Sequence, residues 1–221
     1  MAHPILEKLL FPTSGHGHWH MTFGERAGLL HVLRMANSEV SIEIGTFLGG
    51  SLAPISHYSQ IVYTFDIDAN QHRDTKRHDN VNYITGDSNS TLPAVISRLN
   101  KSAQEINFIL IDGSHEADGV RADIDNCLQY IPKTNPTYIL MHDSSNPTVR
   151  RGIAAAGWED CAYVHAVDFD YVPGLMHDRA DIRNEIWGGL ALAVLLPEKR
   201  AGELTFARSY DYSLSKMNQL C

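Results

Sequence analysis

The chain has 221 residues, of which 43% are hydrophobic and 20% charged, and this composition is typical of a folded globular protein. Its length favours one large domain over residues 1–221 rather than two domains. The 18 basic and 26 acidic residues give a formal net charge of −8, which argues against a general surface for nucleic acid or for an acidic membrane.

The apolar runs and the cysteines of the sequence indicate the cellular compartment in which the protein is expected. No apolar run approaches 18 residues, and the first residues lack the basic and apolar regions of a signal peptide. Cys127, Cys161 and Cys221 have no CxxC spacing and are expected to be free thiols in a reducing compartment. We therefore expect a cytoplasmic protein with no nucleic-acid or membrane partner. A homo-oligomer is only the default expectation.

The first predicted helix follows Thr22-Phe23-Gly24-Glu25, which has the spacing of a capping box. After this helix, short apolar segments end at Gly, Asp or His rather than at a hairpin turn. These segments predict strands over residues 40–44, 61–65, 81–84, 106–111 and 137–141, and later strands over 163–169 and 190–196. Helical patterns lie between the first five strands, and the clearest runs from Ala117 to Ile131.

This alternation predicts a doubly wound α/β fold, with a Rossmann-like, mostly parallel sheet covered on both faces. A late strand that is reached through a loop is expected to be antiparallel at one edge of the sheet. In such sheets the ligand binds outside the carboxyl ends of the strands. The residues that directly follow each strand are therefore the candidates for binding and chemistry.

The first strand leads into the glycine loop Glu43-Ile44-Gly45-Thr46-Phe47-Leu48-Gly49-Gly50-Ser51. This loop is neither GxGxxG nor a phosphate-binding P-loop, because no Gly-Lys-Ser/Thr follows. Gly45 permits a tight turn and a close approach of the backbone to a ligand. The acid at position 43 suits a cationic or hydroxyl-rich partner rather than a pyrophosphate. The alternative is a glycine-rich connection that serves only packing.

The second and third strands are followed by single acids. Asp66 lies about 20 residues after the glycine loop, where nucleoside-binding α/β domains hold a ribose diol. A solvated turn explains Asp66 equally well. Asp87 follows the third strand, where a side chain can reach the edge of an adenine, and this signal is weaker.

The fourth and fifth strands lead into Asp112-Gly113-Ser114-His115 and His142-Asp143. If these strands are neighbours, about 4.8 Å apart, Asp112 and Asp143 lie close together. Two close carboxylates repel unless a proton or a cation lies between them. His115 has the chemistry of a general base. The alternative is a helix cap formed by Asp112 or Ser114, with His115 in solvent.

At these residues the sequence resembles the class I S-adenosylmethionine-dependent methyltransferases, over about residues 20–197. The resemblance rests on Glu43-x-Gly45-x-x-x-Gly49, on Asp66, on the block from Ile111 to His115 and on His142-Asp143. The last two blocks are similar to the metal-dependent sugar and macrolide O-methyltransferases, which are related to cephalosporin-hydroxylase-like proteins. The resemblance implies methylation of a hydroxyl group on a small molecule, either a sugar or another natural product.

The resemblance also implies a role for each residue at the strand ends. The methionine part of S-adenosylmethionine would be bound by Glu43, Gly45, Thr46, Phe47, Gly49 and Ser51, the ribose by Asp66 and the adenine by Asp87. Asp112, which also counts among the cofactor contacts, would bind a divalent metal together with Asp143, and His115 would take the hydroxyl proton.

The metal expected from the resemblance is Mg or Mn. This family more often has two adjacent acids where this chain has His142-Asp143. If His142 is a third ligand, its imidazole favours Mn, Fe, Co or Zn over Mg, which prefers oxygen. If His142 is not a ligand, the metal site has fewer ligands.

Two segments outside the predicted sheet are candidates for contact with the acceptor. Residues 1–21 contain Gly15-His16-Gly17-His18-Trp19-His20, which suits a lid, a surface segment or a metal site. Residues 168–188 combine aromatic and polar side chains, which suits either a substrate wall or a packed edge loop.

Two other functions stay open. A nicotinamide-linked oxidoreductase can use a similar sheet, but the missing GxGxxG and the acid at position 43 argue against it. A non-catalytic S-adenosylmethionine-binding module would bind the cofactor without turnover. The presence of His115 and of both strand-end acids argues against such a module.

Overall fold

The computed structural model describes residues 20–74, 78–176, 181–182 and 185–217. Its helices are α1 (Phe23–Ala36), α2 (Leu52–His57), α3 (Ala69–Asp74), α4 (Ser88–Lys101), α5 (Ala117–Cys127), α6 (Pro147–Ala155) and α7 (Asp211–Met217). Its strands are β1 (Ser38–Ile44), β2 (Ser59–Asp66), β3 (Val81–Thr85), β4 (Ile106–Ile111), β5 (Thr137–His142), β6 (Val164–Val172), β7 (Leu175–Met176), β8 (Ile186–Trp187), β9 (Leu190–Leu195) and β10 (Thr205–Ala207).

Within the described residues, one sheet has the strand order β10-β6-β9-β5-β4-β1-β2-β3, and β7 pairs with β8 in a separate ribbon. All neighbours in the large sheet are parallel except those of β9, which runs antiparallel to β5 and β6. The predicted doubly wound, mostly parallel fold is confirmed. The antiparallel strand lies inside the sheet rather than at its edge, because β6 and β10 extend the sheet beyond it.

Two apolar layers cover the sheet. Side chains of β4 alternate between them, so that Ile109 and Ile111 pack on one side and Phe108 and Leu110 on the other. The first layer is completed by α4, α5 and α6, and the second by α1 and α2. All six residues of β4 are buried, as expected of a central strand in a parallel sheet. The carboxyl ends of the central strands are therefore held in fixed positions at one edge.

The predicted capping box begins α1. The amide of Glu25 donates to Thr22 Oγ1 at 3.3 Å, and the amide of Thr22 donates to Glu25 Oε2 at 2.5 Å. These two bonds satisfy amides that the first turn of a helix otherwise leaves unpaired. They also fix the side chain of Glu25 beside the sheet.

Helix α5 is shorter than its apolar pattern predicts. It ends at Cys127, and the chain then turns so that Tyr130 is buried and its hydroxyl accepts a hydrogen bond from the Ile106 amide at 2.9 Å. The turn leaves Ile131, the last residue of the predicted pattern, 49% exposed. The longest described helices, α1 and α4, have 14 residues each, and none in the described part is long and apolar enough to cross a membrane.

Candidate active site

A cavity of about 770 Å³ opens at the carboxyl ends of the central strands. Each of the strands β1 to β5 contributes a lining residue at or just after its carboxyl end. These residues are Gly45 after β1, Asp66 at the end of β2, Asp87 after β3, Asp112 after β4 and Asp143 after β5. This volume falls in the range of small-molecule and cofactor sites. The structure thus brings together the strand ends that the sequence indicates.

Gly45 occupies a position that no other residue can adopt without a shift of the backbone. Its φ is +93°, and a Cβ atom at this position would lie 2.1 Å from the carbonyl oxygen of Asp112. The Gly45 amide donates to the Phe65 carbonyl at 2.8 Å, and the Asp112 amide donates to the Ile44 carbonyl at 2.8 Å. The glycine therefore permits close packing of the loop after β1 against the loop after β4.

Glu43 lies behind the cavity wall rather than in the cavity. It is 0% exposed, and its carboxyl group accepts hydrogen bonds from Ser51 Oγ at 2.7 Å and Thr64 Oγ1 at 2.5 Å. Burial raises the pKa of Glu43 to about 8. Thr46 Oγ1 lies 2.5 Å from Thr64 Oγ1 and extends this network. Glu43, Thr46, Gly49 and Ser51 do not line the cavity, so their predicted contact with the cofactor stays a prediction.

The acids Asp66 and Asp87 line the cavity and are anchored by backbone amides. Asp66 Oδ2 accepts from the Phe47 amide at 2.8 Å, and Asp66 Oδ1 accepts from the Asp68 amide at 2.9 Å. Asp87 caps α4, and its Oδ1 accepts from the Asn89 amide at 2.9 Å. Phe47 also lines the cavity and is 50% exposed.

The catalytic corner is the name we give to Glu25, Asp112, His115, His142 and Asp143, which meet at one end of the cavity. His142 Nδ1 lies 3.0 Å from Asp112 Oδ1 and 3.4 Å from Asp143 Oδ2. His115 Nε2 lies 3.0 Å from Asp143 Oδ2. An imidazole thus stands between the two carboxylates that the sequence predicts to be neighbours.

Asp143 has an unusual backbone conformation that directs its side chain into this corner. Its φ is +56°, in the left-handed region that aspartate adopts more readily than most residues. The Gly188 amide donates to Asp143 Oδ1 at 2.7 Å. Burial by itself would raise the pKa of Asp143, but the hydrogen bonds with His115 and His142 hold it well below its usual range. Asp143 is therefore an anion that accepts from several donors.

His115 is the most accessible titratable group of the corner, with its side chain 47% exposed. The hydrogen bond to Asp143 raises the pKa of His115, although partial burial opposes the shift. The indole of Trp187 packs edge-on against the imidazole, with ring centroids 5.4 Å apart. His115 is thus oriented by a carboxylate on one side and by an aromatic ring on another.

Asp112, His115 and Asp143 can each offer one ligand atom, and these atoms lie within 4.8 Å of one another. Two carboxylate oxygens and one imidazole nitrogen fit a divalent cation of the Mn, Fe, Co or Zn type better than Mg. His142 is outside this group. Its two ring nitrogens already face Asp112 and Glu25, which favours an orienting role over the predicted role of a ligand.

Sequence reasoning missed several residues of the cavity. Glu25 was assigned only to the capping box, yet it is 1% exposed and contacts His142. Asp123 on α5 is 2% exposed and accepts from Ser88 Oγ at 2.6 Å, and burial raises its pKa to about 6. A helical acid within the apolar stripe of α5 was a usable signal for Asp123. Trp187 was not missed, since it belongs to residues 168–188, whose aromatic and polar composition suits a substrate wall, and it lines the cavity.

The two candidate acceptor segments are described in part. His16, His18 and Trp19 lie outside the described residues, whereas His20 lines the cavity and its ring packs edge-on against Phe47 at 5.4 Å. Within residues 168–188, residues 177–180 and 183–184 are outside the described part of the chain. Ile182 and Trp187 from this segment line the cavity. The roles of lid and substrate wall stay predictions.

Comparison with known families identifies the central part of the chain. Residues 42–144, from β1 to the residue after His142-Asp143, match a family described as a methyltransferase domain. This range contains the glycine loop and the strand-end acids from Asp66 to Asp143. A search of curated proteins found no match to the sequence.

Solved structures share the fold at low sequence identity. Cofactor-bound Rv0187 from MTB is 13% identical with a TM-score of 0.60, over 88% of this chain and 95% of that chain. An O-methyltransferase from Bacillus cereus, in complex with SAH, is 15% identical with a TM-score of 0.58, over 87% and 96%. The O-methyltransferase TomG from Streptomyces achromogenes, involved in tomaymycin synthesis and in complex with SAM, is 15% identical with a TM-score of 0.55, over 77% and 79%.

Proposed function

We propose that the chain is a class I S-adenosylmethionine-dependent methyltransferase, in line with the methyltransferase-domain family that matches residues 42–144. In this proposal it methylates a hydroxyl oxygen of a small molecule, with His115 as the general base. The observation that carries the proposal is the convergence of Asp112, His115 and Asp143 within 4.8 Å, at one end of a cavity whose other end is lined by Asp66 and Asp87.

Asp66 and Asp87 are proposed to bind the nucleoside of the cofactor. Each keeps at least part of its carboxylate toward the cavity, while a backbone amide fixes its orientation. Gly45 and Phe47 line the cavity between these acids and the catalytic corner, so they are proposed to contact the methionine part. Glu43, Thr46, Gly49 and Ser51 are proposed to support this loop from behind, which is an indirect form of their expected role.

The reaction requires a hydroxyl oxygen in line with the methyl carbon and an acceptor for its proton. As the new oxygen–carbon bond forms, the sulfur–carbon bond breaks and its electron pair stays on sulfur. His115 takes the hydroxyl proton, and Asp143, 3.0 Å from His115 Nε2, stabilises the resulting imidazolium. Trp187 limits the rotation of the imidazole and offers a flat apolar surface to the acceptor.

The donor set at the corner also fits a divalent cation. Asp112 and Asp143 would hold it, and His115 would stay free to take the hydroxyl proton. When bound, such a cation would align two vicinal hydroxyl groups and lower the pKa of one of them. This requirement selects acceptors with neighbouring hydroxyl groups, as on a sugar or on a polyketide-type natural product.

Calorimetry tests the cofactor and the metal together. S-adenosylmethionine is titrated into metal-stripped protein, and the titration is repeated with Mg²⁺ and with Mn²⁺. We expect binding in every condition and a gain in affinity or heat with Mn²⁺. Absence of binding in all three would overturn the proposed function, and identical binding with and without metal would remove the cation from it.

A methyl-transfer assay tests the acceptor class. Protein with Mn²⁺ is incubated with tritiated S-adenosylmethionine and a panel of vicinal diols, which ranges from catechol to methyl hexopyranosides. Each diol is paired with its monodeoxy analogue. We expect label in at least one diol and much less in its analogue. Equal labelling of both members would exclude a role for the second hydroxyl group.

A further inference from the structure

Glu25 has a second contact that a capping residue does not need. A capping carboxylate ordinarily faces solvent, whereas Glu25 is 1% exposed. Its Oε1 accepts from the Gly189 amide at 2.6 Å and lies 3.1 Å from His142 Nε2, while its Oε2 accepts from the Thr22 amide. One carboxylate therefore joins the start of α1, the start of β9 and the end of β5.

His142 carries this contact onward to Asp112. Its side chain is 7% exposed, and its two ring nitrogens point to opposite partners, Nε2 to Glu25 and Nδ1 to Asp112. Carboxylates accept only, so each of these two nitrogens must donate its hydrogen to its neighbour. Glu25, His142 and Asp112 form a continuous chain of hydrogen bonds from a buried helix terminus to the cavity.

Asp112 depends on this chain more than Asp143 does. The side chain of Asp112 is 24% exposed, and within the described residues its hydrogen bond to His142 is the one that fixes the carboxylate. Asp143 has an independent anchor, the Gly188 amide at 2.7 Å. A loss of His142 orientation would therefore release Asp112 first and leave Asp143 in place.

We propose that Glu25 is a positioning residue, which holds His142 in the orientation that fixes Asp112 for the reaction. The proposal deepens the proposed function and rests on it, since Asp112 is a catalytic or metal-binding group only if the corner is the active site. Partners that orient a functional side chain through one intermediate typically change activity or metal affinity by about 10- to 100-fold when they are replaced.

The variant Glu25→Gln tests the proposal through the kinetic constants. Glutamine has one acceptor oxygen and an NH₂ group, so it cannot accept from Thr22, Gly189 and His142 together. We expect kcat, with the vicinal diol that is labelled fastest, to fall by about 10- to 100-fold. The KM for S-adenosylmethionine should stay within about threefold, because Asp66 and Asp87 are remote from the chain of hydrogen bonds. An unchanged kcat would overturn the proposal.

The matched control is Glu39→Gln. Glu39 is near the start of β1, at the amino ends of the central strands and away from the cavity. Its Oε2 accepts from the Glu105 amide at 3.0 Å. The change is chemically the same, so Glu39→Gln should leave kcat unchanged. A comparable loss in this control would mean that the effect at Glu25 is general destabilisation.

A double-mutant cycle with His142→Asn distinguishes positioning from a merely structural role. If Glu25 acts through His142, the double variant should lose no more kcat than the more damaged single variant. If the two losses multiply, the residues act independently and the proposed chain is wrong.

Spectroscopy provides a test that needs no acceptor. With ¹⁵N-labelled histidine, we expect the ring signals of His142 to shift in Glu25→Gln and to stay unchanged in Glu39→Gln, because only the first variant alters the partner that orients the ring. Unchanged His142 signals in a folded Glu25→Gln that binds S-adenosylmethionine would overturn the positioning role alone. Shifted His142 signals in a protein without methyl transfer would instead point to a failure of the proposed function.

Discussion

Two buried glutamates support the two ends of the cavity, and their pKa values shift in opposite directions. Glu43 behind the glycine loop is 0% exposed, and Glu25 at the catalytic corner is 1% exposed. Burial raises the pKa of Glu43 to about 8, because the hydroxyl groups that bond it bring no charge. Burial opposes ionisation of Glu25 as well, but hydrogen bonds from the His142 ring and from Thr22 hold its pKa below the ordinary value.

The difference indicates two ways of building a polar interior. Around the glycine loop, a carboxyl group with a raised pKa is held by the uncharged hydroxyl groups of Ser51 and Thr64. At the catalytic corner, three carboxylates surround the imidazole of His142, whose pKa is raised well above its usual value despite burial. The corner can thus keep several charges close together in a nearly dry site.

Substitution of Gly45 should cause the largest loss of stability, because Gly45 packs the glycine loop after β1 against the loop after β4. In Gly45→Ala the new methyl group would meet the Asp112 carbonyl oxygen at 2.1 Å, at a φ of +93°. Backbone strain and overpacking together predict a loss of about 4 kcal/mol in the free energy of unfolding. Urea denaturation measures it.

The control for Gly45 is Gly202→Ala. No atom lies within 4 Å of the Cβ position there, so this variant should keep its stability within about 0.5 kcal/mol. If Gly45→Ala were as stable as Gly202→Ala, the close packing of the two loops would be contradicted.

The variant Glu43→Gln tests the raised pKa of Glu43, behind the glycine loop, through the pH dependence of the free energy of unfolding. Since the folded-state pKa of Glu43 is raised from 4.5 to about 8, its contribution is fully present below pH 4.5 and is lost as the pH rises toward 8. Glutamine has no such loss. The variant should therefore gain roughly 4 kcal/mol over the wild type between pH 4.5 and pH 8.

Urea denaturation of both proteins at pH 5, 6.5 and 8 measures this gain. A difference that did not change with pH would show that Glu43 is ionised in the folded protein. The contrast with Glu25 would then disappear.

His115→Ala separates chemistry from scaffold at the catalytic corner. We expect turnover to fall by about 100-fold or more, because no other described side chain is placed to take the hydroxyl proton as His115 is. The control is His165→Ala, since His165 lies on β6 outside the cavity lining, where it bonds the Glu198 carbonyl at 2.8 Å, and this variant should keep full turnover. Equal turnover in the two variants would make His115 a bystander.

The contrast between the two ends also explains what the sequence could predict. The glycine loop is assembled from contacts between residues 18 to 21 positions apart, such as Thr46 with Thr64 and Glu43 with Thr64. Glu43 and Thr64 lie in the consecutive strands β1 and β2, and Thr46 follows β1 directly, so a motif and a strand pattern were enough to bring the two segments together. Parallel pairing of β4 and β5 placed Asp112 near Asp143 for the same reason.

The support of the catalytic corner depends on contacts that no local pattern encodes. Glu25 meets His142 across 117 positions and Gly189 across 164. These contacts exist because α1 packs beside β5 and because β9 returns between β5 and β6. The strand β9 was expected at an edge, where it would not have delivered the Gly189 amide to Glu25. The fold class was therefore predictable, but the side chains that orient Asp112 were not.

Asp112→Ala should have the smallest effect on cofactor affinity and a selective effect on the catalytic corner. Removal of the carboxylate takes one ligand from the Asp112, His115 and Asp143 group, so Mn²⁺ binding and any metal-stimulated turnover should be lost. S-adenosylmethionine affinity should stay within about tenfold, a change of at most about 1.4 kcal/mol, since Asp66 and Asp87 are untouched. Calorimetry with the cofactor and electron paramagnetic resonance with Mn²⁺ measure the two quantities separately.

The control is Asp118→Ala, because the Asp118 side chain is 99% accessible, and this variant should change neither the cofactor affinity nor the Mn²⁺ binding. Loss of cofactor binding with Mn²⁺ binding intact would reverse the assignment, and Asp112 would then belong to the cofactor end of the cavity.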